Sequence, residues 1–227
     1  MVEACYIGRL GNNLLQHFSA LLLCLKHDLK FKNPLDSKLL PVPDSGIVYT
    51  EEACIQITDE NFFEYYNLDN KKFNFSVYGC FQNRDFVDLF WKNRNLALQT
   101  ETLSSNNDVF VHARLGDILG TGKHQSYEYF DDALKQMSFE NGYISSDSPD
   151  HDIVTRLINQ YNLKLYNEEP EDTIIFASQQ KYKVLSLGTY SWWIGFLGKQ
   201  EYIYFPDFKK YEMWHGDIHT LPHWNLI

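Results

Sequence analysis

The chain is short of several things, and each shortage narrows what it can be. It has four cysteines in 227 residues, Cys5, Cys24, Cys54 and Cys80, and none stands in a CxxC or zinc-ligand spacing. With no secretory leader to suggest an oxidising compartment, they read as reduced and mostly buried thiols. No apolar run is long: Leu21-Leu-Leu-Cys-Leu25 falls far below the length that spans a bilayer. The opening residues also lack the layout of a signal peptide, so a soluble, cytoplasmic protein is the expectation. Basic residues are outnumbered, 20 Lys and Arg against 30 Asp and Glu, for a formal net charge of −10. A nucleic-acid partner, which needs a basic face, is therefore not expected. A small phosphorylated ligand needs only local arginines and backbone N–H groups and is not excluded. Internal repeats and low-complexity tracts are missing, as are the Walker loop and the GxGxxG fingerprint of a Rossmann oxidoreductase.

What is present, 44% hydrophobic and 16% aromatic residues, can build a sizeable core in one large domain or two small ones. The chain is organised around Val109-Phe-Val-His-Ala-Arg-Leu-Gly-Asp117. Its first three residues suit a strand in a covered sheet. His112, Arg114 and Asp117 then follow within six residues, ahead of Gly120-Thr-Gly122. In an open α/β sheet, ligands sit beyond the carboxyl ends of strands. Arg114 at such an end can grip a phosphate or carboxylate with two parallel hydrogen bonds. The plainer reading pairs Arg114 with Asp117 and has His112 cap a loop.

From the amino terminus, Val2 to Ile7 reads as a strand, followed by a turn, Gly8-Arg-Leu-Gly-Asn-Asn13. Leu14, Leu15, Phe18, Leu21, Leu22 and Leu25 recur at the steps of an amphipathic helix. Asn33 to Ser45, with three prolines, reads as a loop. Short strands are expected at Ile47–Tyr49 and Ile55–Thr58, a short helix at Asn61–Tyr66, a strand at Phe73–Tyr78 and a helix at about Asn83–Asn93 burying Phe86, Leu89 and Phe90. Polar Thr100 to Asp108 marks a domain boundary. Beyond the central strand come a helix on Phe130, Ala133, Leu134 and Met137, a strand at Gly142–Ser146, and a helix on Ile153, Leu157, Ile158 and Tyr161. Thr173–Ser178 is ambiguous between strand and helix. Ser191–Leu197 reads as a helix buried all round and Tyr202–Phe205 as a final strand. Alternating strands and helices point to α/β with parallel sheets.

These segments carry a family resemblance. Gly8-Arg-Leu-Gly-Asn-Asn13 resembles the GxLGNQ turn of the α-1,2-fucosyltransferases and their relatives, and Gly79-Cys-Phe-Gln82 their GYFQ segment. His112-Ala-Arg-Leu-Gly-Asp117 resembles HxRRGD, the most specific signature of that superfamily. Tyr127-Glu-Tyr129, Ser145-Ser-Asp147 and Leu187-Gly-Thr-Tyr-Ser-Trp-Trp193 are similar to the paired tyrosines, the SDD strand end and the NSSFSWW segment. The matches fall in the family's order along nearly the whole chain.

The resemblance implies a GT-B-like architecture, two Rossmann-type domains facing across a cleft. Here they would be residues 1–104 on the acceptor side and 105–227 binding the nucleotide sugar. It implies an inverting glycosyltransferase with no essential metal and no cofactor beyond its donor, moving a sugar onto a glycan hydroxyl. L-fucose from GDP-fucose comes first, and a UDP- or GDP-linked pentose or deoxyhexose second. By position, Arg114 matches the arginine on the donor's β-phosphate, and His112 and Asp147 match nucleoside contacts. Thr189, Tyr190 and Ser191 match residues lining the base and diphosphate. Gly11 and Asn12, with Arg9 beside them, match the turn near the diphosphate and acceptor, and Asn12 would help orient the reacting groups. The chemistry suits Arg114, since charge growing on a leaving diphosphate must meet something fixed and cationic. Three departures touch the donor: Leu115 for the second arginine, Ser148 for the second aspartate, and Leu187-Gly188-Thr189 for NSS.

A general base is not evident, although Asp117, Glu128 and Asp131 are near. Two metal patterns are weaker. Asp150-His-Asp152 spells DxD but precedes a helix, where acidic residues commonly cap. His215, Asp217, His219 and His223 match no standard zinc spacing. The competing function class is a non-catalytic module that holds a sugar nucleotide or glycan.

Overall fold

The structure, a computed structural model, describes residues 1–50, 53–69, 72–98, 107–198, 201–207 and 220–227. It is α/β and divides into two compact units, Met1–Ala97 and Leu98–Ile227. The boundary expected after residue 104 lies outside the described residues, as do His215, Asp217 and His219.

The first unit runs β1 (Val2–Ala4), α1 (Leu10–His27), β2 (Cys54–Ile57), α2 (Phe62–Tyr66), β3 (Asn74–Val77) and α3 (Arg84–Lys92). Its sheet is parallel in the order β1-β3-β2, with Val2 beside Phe75 and Ile57 beside Val77. Helix α1 differs from the amphipathic expectation in two ways. It begins at Leu10, so most of the expected turn is already helical, and it is buried almost all round from Leu14 to Cys24, whereas Leu25 is exposed. The reason lies in two buried polar side chains. Gln16 accepts from Ile7 N and donates to the carbonyls of Ile7 and Gly79. His17 accepts from Leu35 N at Nδ1, and its Nε2 lies 3.2 Å from the Pro41 carbonyl. The proline-rich loop is thus tied to α1. Ile47–Tyr49 is not a strand; Ile47 makes only an isolated bridge to Leu29, and Ile47 and Val48 stay exposed. Helix α3 starts on an Asn83 cap and buries Phe86, Val87 and Phe90, with Val87 taking the place expected for Leu89.

In the same unit, the Asp59 carboxylate accepts from Cys80 N at 2.7 Å and Phe81 N at 2.5 Å. This holds the loop leaving β3. Phe81 is fully buried with φ +54°, a conformation that costs a non-glycine residue free energy. A Cβ at Gly79 would lie 2.3 Å from Asp59 Oδ2, so the close approach requires glycine.

The second unit carries β4 (Val109–Ala113), α4 (Tyr127–Leu134), β5 (Gly142–Ser146), α5 (Asp152–Tyr161), β6 (Lys164–Leu165), α6 (Pro170–Gln179), β7 (Tyr182–Leu185), α7 (Thr189–Leu197), β8 (Ile203–Phe205) and β9 (Asn225–Leu226). Its sheet is parallel throughout, in the order β6-β5-β4-β7-β8-β9. Both faces are covered. Val109, Val111 and Ala113 pack into one cluster with α4 and α5 residues, including Phe130, Leu134, Val154 and Leu157. On the other face Phe110 meets Phe176 of α6, and His112 meets Tyr190 of α7. The chain steps from β4 to β5 to β6, then returns through α6 to β7 on the far side of β4. The order of the sheet therefore reverses between β4 and β7.

Strand β7 is absent from the sequence reading because Lys183 interrupts its apolar run. In the fold Lys183 is fully buried, and its ammonium donates to the Gln180 carbonyl at 2.6 Å. The ambiguous Thr173–Ser178 is helical: Pro170 opens α6 in its first turn, where Glu171 and Asp172 favour the helix dipole. Met137 lies beyond the end of α4, and the strand expected last is followed by β9. The four cysteines are free. Among the described residues no helix is long and apolar enough to cross a membrane.

Asp59→Ala leaves two backbone donors without their carboxylate and should destabilise the first unit by about 2 kcal/mol, with Asp59→Asn losing less than half of that. Urea unfolding of the three proteins checks this, and a loss under about 0.5 kcal/mol for the alanine variant would show that the carboxylate holds little.

Candidate functional site

The sheet order reverses between β4 and β7, and in open α/β sheets such a switch point at the carboxyl ends of the strands is where ligands bind. Arg114 is the first residue past β4, and the residues just past both neighbouring strands hold the backbone of 114–116. From the β7 side, buried Ser186 accepts from Arg114 N at 2.9 Å and donates to the His112 carbonyl at 2.7 Å. From the β5 side, Asp147 Oδ1 accepts from Leu115 N at 2.8 Å and Gly116 N at 2.9 Å.

The Arg114 side chain is fixed as firmly. Its Nε donates to Asp117 Oδ1 at 3.0 Å and its Nη2 to Oδ2 at 2.7 Å, a two-pronged pair at about one-third exposure. The remaining edge, Nη1, lies against Gly188: a Cβ there would stand 2.8 Å from it. Gly188 precedes α7 with φ +138°, which a side chain would strain, so glycine lets the guanidinium rest at the helix start. The first turn of α7 contains no acidic residue. A cationic edge and the positive end of a helix dipole therefore share one spot, suited to an anion such as a diphosphate.

His112 lies on the same face, 8% exposed, with Nδ1 2.6 Å from Ser191 Oγ and its ring tilted against Tyr190 at a centroid distance of 5.0 Å. Burial above all lowers its pKa to about 4; nearby Arg114 acts in the same direction and Asp147 against it. The imidazole is thus neutral at pH 7 and can exchange hydrogen bonds without adding charge. The Tyr190 hydroxyl donates to the Pro170 carbonyl, and burial raises its pKa. Thr189 is the first residue of α7 and Ser191 is fully buried. His112, Arg114, Asp117, Asp147, Thr189, Tyr190 and Ser191 therefore gather around the ends of β4, β5 and β7.

Arg9, Gly11 and Asn12 belong to the other unit, at the start of α1. Arg9 is the exposed cap residue, Gly11 is buried, and Asn12 Oδ1 accepts weakly from Gln82 at 3.4 Å.

The carboxylates considered as bases are placed as follows. Asp117 holds Arg114. Asp131 sits between α4 and α5, accepting from Lys135, Tyr161, Tyr127 and Gln160, and the Lys135 contact lowers its pKa most. Glu128 is exposed in the first turn of α4. In Asp150-His-Asp152 the cap is His151, whose Nδ1 accepts from Ile153 N. Among the described residues no group of three or more His, Cys, Asp or Glu is placed to hold a metal ion.

Two contributors, Ser186 and Gln125, lie outside the sequence reading, and Gly188 enters it only as a departure from NSS. Ser186 directly follows β7, the strand that Lys183 disguised. Gln125, fully buried, accepts from Leu187 N at 3.1 Å and fixes the loop after β7, with no local pattern to announce it. Tyr129, within a noticed segment, donates to the Leu185 carbonyl at 2.7 Å. Leu115, at the position of the second arginine, is fully buried in the α4–α5 cluster. No protein-family model and no curated protein matches the chain.

Two outcomes follow from this geometry. The unfolded chain takes up a proton at His112 near pH 6.5, whereas the folded chain resists until about pH 4. Stability should therefore fall across that window and level off below it, by up to about 3 kcal/mol from this group. Urea unfolding at pH 7 and 4.5 should show a smaller acid loss in His112→Gln than in wild type; equal losses would contradict it. Leu115→Arg would bury an unpaired cation and should cost about 3 kcal/mol or more, which thermal and urea unfolding would reveal.

Proposed function

We propose that the chain is an inverting glycosyltransferase that uses a nucleotide-sugar donor, with GDP-fucose first among the donors. The observation that carries the reading is Arg114: the guanidinium is clamped by Asp117 and laid against Gly188 at the start of α7, where the sheet order reverses. Such a cation meets the charge that grows on a departing diphosphate, a contribution on the order of 2.7–4 kcal/mol for a preorganised donor. Neutral His112, Ser191 and Tyr190 supply polar contacts and an aromatic face for the nucleoside. The resemblance of His112-Ala-Arg-Leu-Gly-Asp117 to the fucosyltransferase signature supplies the reaction class and the expectation of no essential metal. On this reading the two units would be the Rossmann-type domains of a GT-B architecture, with Arg9, Gly11 and Asn12 serving the acceptor side, and the acceptor would be a glycan hydroxyl.

A second reading, a module that binds a sugar nucleotide without turnover, is favoured by the state of the carboxylates. Asp117 and Asp131 are both engaged in ion pairs, and Glu128 is exposed in the first turn of α4.

Thermal shift and donor hydrolysis across GDP-fucose and other GDP- and UDP-sugars, with EDTA, separate these readings. Wild type is expected to be stabilised by GDP-fucose and to consume it, while Arg114→Ala loses both. A different sugar nucleotide winning would move the donor assignment and keep the site. Binding without consumption would select the module. No binding by any donor would overturn the proposal.

A further inference from the structure

The resemblance gives Asp147 to the nucleoside, but its hydrogen bonds go elsewhere. We infer that Asp147 is a positioning residue: it shapes the loop that carries Arg114, and so acts on the phosphate end of the ligand. The inference rests on the anion-site reading above.

The geometry is specific. Asp147 is the first residue past β5, and its Oδ1 takes both consecutive N–H groups, Leu115 and Gly116, that follow Arg114. These donors lie beyond the β4 ladder, where no strand carbonyl meets them. One oxygen receiving two adjacent amides fixes the turn of the chain, because the two N–H vectors must converge. The contact is also close-fitting: a Cβ at Gly116 would stand 3.0 Å from Asp147 Oδ2. Release of this oxygen would leave Arg114 N bonded to Ser186 and Leu115 in its core cluster but free exposed Gly116 and Asp117 to shift. Asp117 belongs to that segment, so the two-pronged clamp on the guanidinium would move with it. Asp59 does the same work in the other unit, accepting from Cys80 N and Phe81 N, so a strand-end aspartate that gathers a loop is a repeated device in this chain.

Pyrophosphate tests this, having phosphate charge and no nucleoside to touch. Its affinity is measured by calorimetry on wild type, Asp147→Ala, Asp147→Asn and Arg114→Ala, with hydrogen exchange followed at the Leu115 and Gly116 amides. Asp147→Ala is expected to weaken pyrophosphate about five- to tenfold and to speed exchange at both amides about tenfold or more. Asp147→Asn, which keeps an acceptor oxygen, should restore both within about twofold. Unchanged pyrophosphate affinity in the alanine variant, with only nucleoside diphosphate weakened, would return Asp147 to nucleoside contact and overturn the inference. Failure of the asparagine variant to restore either readout would overturn it as well. If wild type and Arg114→Ala bind pyrophosphate equally, the anion-site reading fails instead. The exchange rates then decide alone whether Asp147 orders the loop, and unchanged exchange refutes it.

Discussion

A carboxylate that collects two neighbouring backbone N–H groups at the end of a parallel sheet is the interaction on which the rest of this structure turns. Parallel strands deliver their loops to one edge, and past the last ladder bond those loops carry donors with nothing to meet. Asp147 and Asp59 each stand just beyond a strand and gather the loop of the strand beside it. Hydrogen bonds to a charged acceptor are the stronger kind, about 1.5–3 kcal/mol each, enough to hold a loop that packs little surface of its own. Gly79 shows how tightly this constraint binds, because a side chain there would strike the carboxylate. In the second unit the gathered loop begins at Arg114, the residue on which the proposed donor site rests.

The electrostatics at the carboxyl ends of β4 and β7 follow from how the charges there are spent. The chain is acidic overall, at −10, so an anionic ligand is not drawn by the molecule as a whole and must be held by local groups. Arg114 gives one edge to Asp117, which fixes its plane, and keeps another at the start of α7. The dipole of α7 adds its positive end, with no acidic residue in the first turn to offset it. His112, buried beside Ser191, stays neutral and so does not compete for the anion. Arg114 and the start of α7 therefore share this spot with the carboxylates of Asp117 and Asp147 and with the uncharged His112 and Ser191.

How far all this could be read from the sequence depended on whether a residue's role was local. Val109–Ala113 was plain because a strand covered on both faces is continuously apolar. Strand β7 was hidden by Lys183, whose charge is buried against the Gln180 carbonyl, and with it went the strand that makes Ser186 part of the site. Thr173–Ser178 has the β-branched residues of a strand but is helical, since tertiary packing outweighs modest differences in propensity. Gln125 had no legible role, and Asp147 had one only by resemblance, as a nucleoside contact: an amide or carboxylate declares what it can bond, and only the fold says which backbone it reaches.

Leu115 was decidable in advance by a stricter use of alternation. Successive side chains on a strand point to opposite faces, and Val109, Val111, Ala113 and Leu115 all join the α4–α5 cluster. Phe110 and His112 instead face α6 and α7, and Arg114 lies against Gly188 at the start of α7. The period of two thus persists one step past the last ladder bond. A motif written as two adjacent arginines would send them to opposite faces of this sheet, and only the first would lie on the α7 side. Here the second position was free to become a core residue, and leucine fills it without leaving a buried charge to be paired. The cation of the site is Arg114 by geometry, which is why its clamp by Asp117 and the loop held by Asp147 matter more than the number of arginines in the motif.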